Sequence, residues 1–398
     1  MSNVALLIPG LDRIGGAERQ TILLAKGLLG RGWRVSVVAL SGTGGNVAAE
    51  LTAAGAAFLS LGMLKGLADP RGWIRLNRWL RREAPDVVHA HLPHAAWMAR
   101  WARLGAPARV VLDTLHSCST GTLGRRLGYR WSRWLPDQVT AVSHAVAEAH
   151  LSAGMVSRSK VVVLPNGVDV NEWRPDAATR TALRRMLELD NEFLWIAAGR
   201  LEPVKDYPTL LQAFALTSGS ARLLIAGAGP LKSELLQLSE RLGLERQVVF
   251  LGFEPDVRRW LQAADGFVLS SRVEGLPMAL LEAAACGLPA VATDVPGTRE
   301  AIEDSETGWL VPVANPASLG AKMTALMQAS PEARKAMGER ARLRVIERFG
   351  LEAVLDQWEA LYGGLLKGNP RPSRWDSTAE TGRSDRKAQQ TDRLSTRL

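Results

Sequence analysis

The chain has 398 residues, 46% hydrophobic and 22% charged, which is enough for two or three domains that each bury a core. No run of about 18 uncharged apolar residues marks a membrane-spanning helix, and Met1–Pro9 lacks the basic-then-apolar character of a secretory signal. Two distant cysteines, Cys118 and Cys286, exclude a disulfide framework and suit a reducing, cytoplasmic setting.

The net charge of +9 is uneven along the chain. Residues 1–164 hold 20 Lys and Arg against 9 Asp and Glu, residues 165–366 hold 21 against 27, and residues 367–398 hold 8 against 4. A basic first half beside an acidic second half predicts a division of labour, with the first half meeting an anionic partner.

In chain order, Val4–Pro9 is an apolar run that ends in a glycine-rich loop, and Ala17–Leu29 carries the spacing of an amphipathic helix. The alternation continues with strand Arg34–Leu40, helix Val47–Ala54, strand Ala57–Leu61, helix Arg71–Glu83, strand Asp86–Ala90, helix His94–Leu104 and strand Arg109–Leu115. Gln138–Val142 is a strand, and Ser143 caps the helix after it. Past the turn cluster Pro165-Asn-Gly-Val-Asp169 a second series begins: strand Leu194–Gly199, helix Tyr207–Leu216, strand Arg222–Ala226, helix Leu231–Leu242, strand Val248–Leu251, helix Val257–Ala263 and strand Gly266–Ser270. Strands Ala290–Thr293 and Gly308–Val311 follow, then helices Pro316–Gln328, Pro331–Arg348 and Leu351–Leu361.

Repeated βα units predict an α/β chain of two doubly wound, Rossmann-like domains facing across a cleft. The expected division is 1–164, 165–348, a helix over 349–366 that packs back on the first domain, and a disordered basic tail over 367–398.

Ligands of such sheets bind beyond the carboxyl ends of the strands, and four segments there carry chemistry. Ser271-Arg-Val-Glu274-Gly275-Leu276-Pro277-Met278-Ala-Leu-Leu-Glu282 sets two carboxylates around a helix start, where N–H groups and the helix dipole suit phosphate. Gly15-Gly16 opens the first helix and lets a ligand approach the backbone. Arg200 and Lys205 follow a strand of the second half, as a fork and a point charge for a diphosphate. His116 ends a strand of the first half, while His89 and His91 suit a structural role, His91 also standing near the cleft. The His89-Ala-His91-Leu-Pro-His94 spacing fits no zinc pattern and no Asp-x-Asp clamp occurs, so a metal is not expected.

Two segments, Arg71–Arg82 and Gly124–Trp134, mix Arg with Trp and suit an anionic membrane surface. No nucleic-acid module is evident.

Together, Gly15-Gly16-Ala-Glu18, Pro165-Asn-Gly-Val-Asp169, Gly199-Arg200…Lys205, Gly227-Ala-Gly-Pro230 and Glu274-x7-Glu282 resemble the retaining glycosyltransferases of family 4, with the GT-B fold, over roughly residues 3–363. The resemblance implies a nucleotide-diphosphate-sugar donor, UDP-linked, in the second domain, and a lipid-linked or glycan acceptor in the first. No metal or other cofactor is implied. The donor set would be Gly15, Gly16, Arg200, Lys205, Glu274, Gly275, Leu276, Met278 and Glu282. Within it Glu282 would meet the ribose, Glu274 the sugar, and Arg200, Lys205 and Gly16 the diphosphate; His116, Glu274, Arg200 and Lys205 would stand nearest the chemistry. A sugar-nucleotide epimerase on the same scaffold and a non-catalytic sugar-nucleotide binder are the competing expectations.

Overall fold

The computed structural model describes residues 2–12, 14–64, 69–106, 108–189 and 191–368. The expected tail falls, from residue 369, outside the described residues.

The first half runs β1 (Asn3–Ile8), α1 (Gly16–Gly30), β2 (Arg34–Ala39), α2 (Gly45–Ala53), β3 (Ala57–Ser60), α3 (Pro70–Glu83), β4 (Val87–His91), α4 (Pro93–Gly105), β5 (Val110–Leu115), α5 (Leu123–Ser132), β6 (Gln138–Ala141), α6 (His144–Ser152) and β7 (Val161–Val163). The second half runs α7 (Ala177–Met186), β8 (Phe193–Ala198), α8 (Tyr207–Ala215), β9 (Ala221–Ala226), α9 (Lys232–Arg241), β10 (Val248–Gly252), α10 (Val257–Ala263), β11 (Gly266–Leu269), α11 (Met278–Ala285), β12 (Ala290–Thr293), α12 (Pro296–Ala301), β13 (Gly308–Val311), α13 (Pro316–Gln328), α14 (Pro331–Phe349) and α15 (Leu351–Leu366).

Two all-parallel sheets result, ordered β3-β2-β1-β4-β5-β6-β7 and β10-β9-β8-β11-β12-β13. Parallel strands are covered on both faces, which is why they read as continuous Val, Leu, Ile and Ala runs rather than alternating ones. β1 is fully buried along its six residues. The strand order reverses beside β1 in the first sheet and beside β8 in the second, so each sheet has its switch point where one of the glycine-bearing loops leaves.

Local signals explain most helix starts. Ser143 accepts the Val146 N–H at 3.1 Å, Asp176 accepts Ala178 and Thr179, and Ser330 accepts Ala333, each satisfying a first-turn donor. Four elements, α5, β7, α7 and α12, escape the sequence reading. Two glycines, Gly124 and Gly128, interrupt the pattern of α5, and β7 and α12 are only three and six residues long.

The chain crosses between the halves twice at one place. Val168 N–H donates to Phe349 O at 2.8 Å, and Leu351 N–H donates to Val168 O at 2.9 Å. Gln20 of α1 pins the same strand by exchanging two hydrogen bonds of 2.9 Å with Gly167. Beyond this crossing α15 lies against the first half. Val354, Leu355, Trp358 and Tyr362 join the core formed by β1, β2 and α1, burial that contributes about 1.5–3 kcal/mol for each large side chain. Arg31, which caps the end of α1, meets Glu352, Asp356 and Glu359 of α15 at 2.5–2.8 Å.

Candidate functional site

The carboxyl edges of the two sheets face each other, and close packing between them is made possible by glycine. A Cβ at Gly275 would stand 2.9 Å from His116 O and 3.0 Å from Val146 Cγ2, both on the opposite half. On the other side of that segment, a Cβ at Gly297 would meet Gly275 O and Glu274 O at 2.5–2.6 Å. The Glu274–Gly275 backbone is therefore held between α12 and the end of β5. Cys118 S–H also donates to Glu274 O at 3.4 Å, and burial pushes that thiol up to about 11. Across the cleft Gly16 sits 3.7 Å from Met278 Cγ, measured from where its Cβ would be. Glu300 of α12 completes the closure by accepting His144 N–H and Ala145 N–H at the start of α6, at 3.0 and 2.9 Å.

Glu274 is 9% exposed, and its Oε1 accepts from Lys205 Nζ at 2.5 Å and from Ser271 Oγ at 2.6 Å. Leu276 beside it is buried. Pro277 caps α11 and Met278 is its first residue, one place later than a proline at the first helical position would give. Glu282 follows one turn on, 5% exposed, and its Oε1 accepts from Arg19 Nη1 of α1 at 2.9 Å. Burial raises the Glu282 pKa, and Arg19 opposes that rise.

Arg200 stands at the end of β8, but its guanidinium is exposed and paired with Glu202 at 2.8 Å. Arg200 and Lys205 thus share an edge and pair with different carboxylates, Glu202 and Glu274. The Gly227-Ala-Gly-Pro230 segment positions this edge through its backbone. A Cβ at Gly229 would lie 2.4 Å from Leu201 O, and Leu201 N–H donates to Ala228 O at 3.0 Å.

The first half contributes histidines. His116 Nε2 and His91 Nδ1 are 3.1 Å apart, and the outer nitrogens, His116 Nδ1 and His91 Nε2, are buried without a protein partner. Both residues line a small cavity of about 20 Å³, with Gln20, Asn166 and Trp358. Desolvation lowers the His116 pKa to about 4 and holds His89 and His91 well below 6.5. At neutral pH the cluster is uncharged, so His116 is a hydrogen-bonding group rather than a cation.

His89 is fully buried and ties the C-terminal helix to the sheet. Its Nδ1 lies 2.7 Å from Tyr362 Oη and its Nε2 2.6 Å from Thr114 Oγ1, which is 2.6 Å from Thr140 Oγ1. His89 thus bridges Tyr362 of α15 and the Thr114–Thr140 hydroxyl pair of the sheet.

The two Arg/Trp segments differ in their surfaces. On α3, Trp73 and Trp79 pack against the core and the arginines are solvated. On and after α5, Leu123 (69% exposed), Leu127 (48%), Trp131 (76%) and Trp134 (62%) stand outward, among exposed Arg125, Arg126, Arg130 and Arg133.

Known proteins resemble this chain along almost its whole length. The model of Glycosyltransferase Family 4 matches residues 14–172, and that of Glycosyl transferases group 1 matches residues 179–344. N-acetyl-alpha-D-glucosaminyl L-malate synthase of Bacillus anthracis is 32% identical over 309 residues, 72% of this chain and 77% of that protein. The chain belongs to glycosyltransferase family 4.

A further family relative is the UDP-Gal:alpha-D-GlcNAc-diphosphoundecaprenol alpha-1,3-galactosyltransferase of Escherichia coli, 25% identical over 74% of this chain and 80% of its own length. Among solved structures, HepE of Anabaena in complex with UDP and glucose superposes with a TM-score of 0.81 at 22% identity, covering 91% of this chain and 99% of that one. These neighbours establish the GT-B fold, and the relatives establish glycosyltransferase activity. Within this family-4 chain the sequence reading missed Arg19, Ser271, Cys118 and Glu300, which make the cleft's cross-domain and carboxylate contacts. Arg19 carried one legible signal, a cation four residues after the Gly15 cap, where the helix dipole disfavours positive charge. Among the described residues, no cluster of three or more His, Cys, Asp or Glu is arranged to hold a metal, and no helix is long and apolar enough to cross a membrane.

Proposed function

We propose that the chain is a retaining, metal-independent glycosyltransferase that moves a hexosyl or N-acetylhexosaminyl group from a UDP-linked sugar to a lipid-linked or polysaccharide acceptor in cell-surface glycan synthesis. The observation that carries this reading is the pair of buried carboxylates at the closed cleft, Glu274 held by Lys205 and Ser271, and Glu282 reaching Arg19 of α1 on the opposite half. Vicinal hydroxyls of ribose suit Glu282, sugar hydroxyls suit Glu274, and the diphosphate suits the α1 N-terminus, Lys205 and Arg200.

Stabilising charge on the departing diphosphate is the main catalytic contribution of such a site. Neutral His116 supplies a hydrogen bond at the sugar, and the departing phosphate itself takes the acceptor's proton on the front face. The activities of relatives support the substrate classes. The E. coli enzyme acts from UDP-Gal on a diphosphoundecaprenol acceptor, and a Campylobacter jejuni relative, 32% identical, acts on a diphospho-undecaprenol acceptor.

The enzyme works in the cytoplasm, peripheral on the inner membrane face, with the α5 surface as its contact. Four exposed apolar side chains and four arginines with no acid between Thr122 and Trp134 fit an anionic interface.

The test is a calorimetric panel of UDP, GDP and ADP against the parent and Glu282→Ala, coupled to a sugar-release assay. Glu282→Ala is expected to weaken nucleotide binding at least tenfold, a loss of about 1.4 kcal/mol; unchanged affinity would remove the assignment. Sedimentation with phosphatidylglycerol liposomes is expected for the parent and reduced for Trp131→Ser/Trp134→Ser, and a parent that stays in the supernatant would refute the membrane reading.

A further inference from the structure

We infer that Arg19 is the side chain by which the first domain grips the donor diphosphate: it rests on Glu282 until a ribose claims that carboxylate, then turns to the phosphates at the start of α1. The inference rests on the donor reading above.

Arg19 is the fourth residue of α1, after Gly16, Ala17 and Glu18, with Gly15 as the cap. A cation there faces the positive end of the helix dipole, so its placement needs a partner. The partner found is Glu282, on the opposite domain, at 2.9 Å. The two ends of this pair differ in freedom. Glu282 is 7% exposed along its side chain, inside α11, and cannot move away, whereas Arg19 is 37% exposed and rides on a long, rotatable stem. Its guanidinium lies 5.6 Å from the Trp173 ring, a contact that a small rotation preserves.

Chemistry then sets the order of preference. A vicinal diol donates two hydrogen bonds to one carboxylate, and a carboxylate so occupied holds a guanidinium less well. A guanidinium prefers a phosphate, which it can meet with two parallel N–H···O bonds. The start of α1, one helical turn from Arg19, is also where the dipole favours an anion. Diphosphate binding there turns an unfavourable position for Arg19 into a favourable one. The resting pair meanwhile keeps a buried carboxylate from standing alone.

This exchange predicts opposite signs for two ligands that differ only in phosphate. Calorimetry of uridine and UDP against the parent, Arg19→Met and Arg19→Lys reads it directly. Arg19→Met is expected to bind UDP about tenfold more weakly, through loss of a charge-assisted contact, and to bind uridine severalfold more tightly, because Glu282 no longer has a competitor. Arg19→Lys keeps the charge but loses the paired N–H···O contact, and is expected to bind UDP more weakly than the parent and more tightly than Arg19→Met. Both ligands weakening together, both strengthening together, or neither changing would overturn the exchange. If the parent binds none of UDP, GDP and ADP, the donor reading fails and takes this one with it. A parent that binds UDP beside an unaffected Arg19→Met leaves the donor reading intact and removes Arg19 from it.

Discussion

Replacing Arg100 by Met should loosen the first domain around α5 far more than replacing Arg100 and Asp113 together by Met and Leu. Arg100 of α4 is wholly buried, and it gives Nε and Nη2 to the two oxygens of Asp113 on β5, each at 3.0 Å. Its Nη1 donates to Ser132 Oγ at 3.0 Å, and the guanidinium sits 4.3 Å from the Tyr129 ring. Tyr129 and Ser132 are the two buried residues of α5, so Arg100 is the bolt that fixes α5 to the sheet. Taking away one partner leaves a buried carboxylate with two charged donors missing, which costs about 3–5 kcal/mol. Such a loss is a large part of the about 5–15 kcal/mol that holds a domain folded. Taking away both charges and filling the space with apolar groups should be close to neutral. Amide hydrogen exchange resolved over the α4, β5 and α5 peptides measures the local opening free energy for the parent, both single variants and the double. Arg100→Met costing less than about 1 kcal/mol, or a double variant as weak as the sum of the singles, would refute the bolt.

Three further outcomes follow from the same geometry. Desolvation lowers the His116 pKa from 6.5 to about 4, so between those values the unfolded chain takes up a proton that the folded one refuses; stability should fall as pH drops from 6.5 toward 4, by up to about 1.4 kcal/mol per unit, and melting curves of His116→Asn should lose part of that slope. Tyr362→Phe strips His89 Nδ1 of its partner at a fully buried site and should cost about 1–3 kcal/mol in urea titration, with a change below a few tenths counting against the buried chain. Gly275→Ala forces apart His116 O and the Glu274 segment and should cut turnover roughly tenfold and lower the melting temperature by a few degrees, since overpacking is destabilising and small misplacements at a reacting site are costly; full activity would show that the cleft has slack there.

What the sequence made legible was whatever local chemistry dictates. Alternating strands and helices place Glu274, Arg200, Lys205 and His116 in the segments that follow strands and Glu282 in the helix that opens after Glu274, and the structure has them in those elements. Less legible was what each side chain touches across the cleft. Nothing local to Arg200 says that it turns to Glu202, and nothing local to Gly275 says that a carbonyl from residue 116 lies against it. The Arg/Trp segments show the same limit. α3 and α5 have similar composition, yet the tryptophans of α3 face inward and Trp131 and Trp134 face outward, because the register of each helix against its sheet decides. Helix α5 itself was hidden by Gly124 and Gly128, although Thr122 accepts Arg125 N–H at 3.4 Å and was a readable cap.

The resting cleft is balanced in charge, and that balance constrains how a diphosphate enters it. Glu282 is matched by Arg19, Glu274 by Lys205, and Arg200 by Glu202, while the histidines are neutral. A diphosphate added to these pairs unchanged would face buried carboxylates with no surplus cation, a costly arrangement at low dielectric. On the proposed donor site each pair must therefore open, its cation passing to phosphate and its carboxylate to hydroxyls. A sugar nucleotide carries both kinds of group in one molecule, at opposite sides of the phosphates, so it can open both buried pairs at once. A free sugar or a free diphosphate supplies only one half of the exchange and leaves the other half unpaired. Specificity for the intact donor then arises from the pairing itself, without a dedicated contact for any one atom.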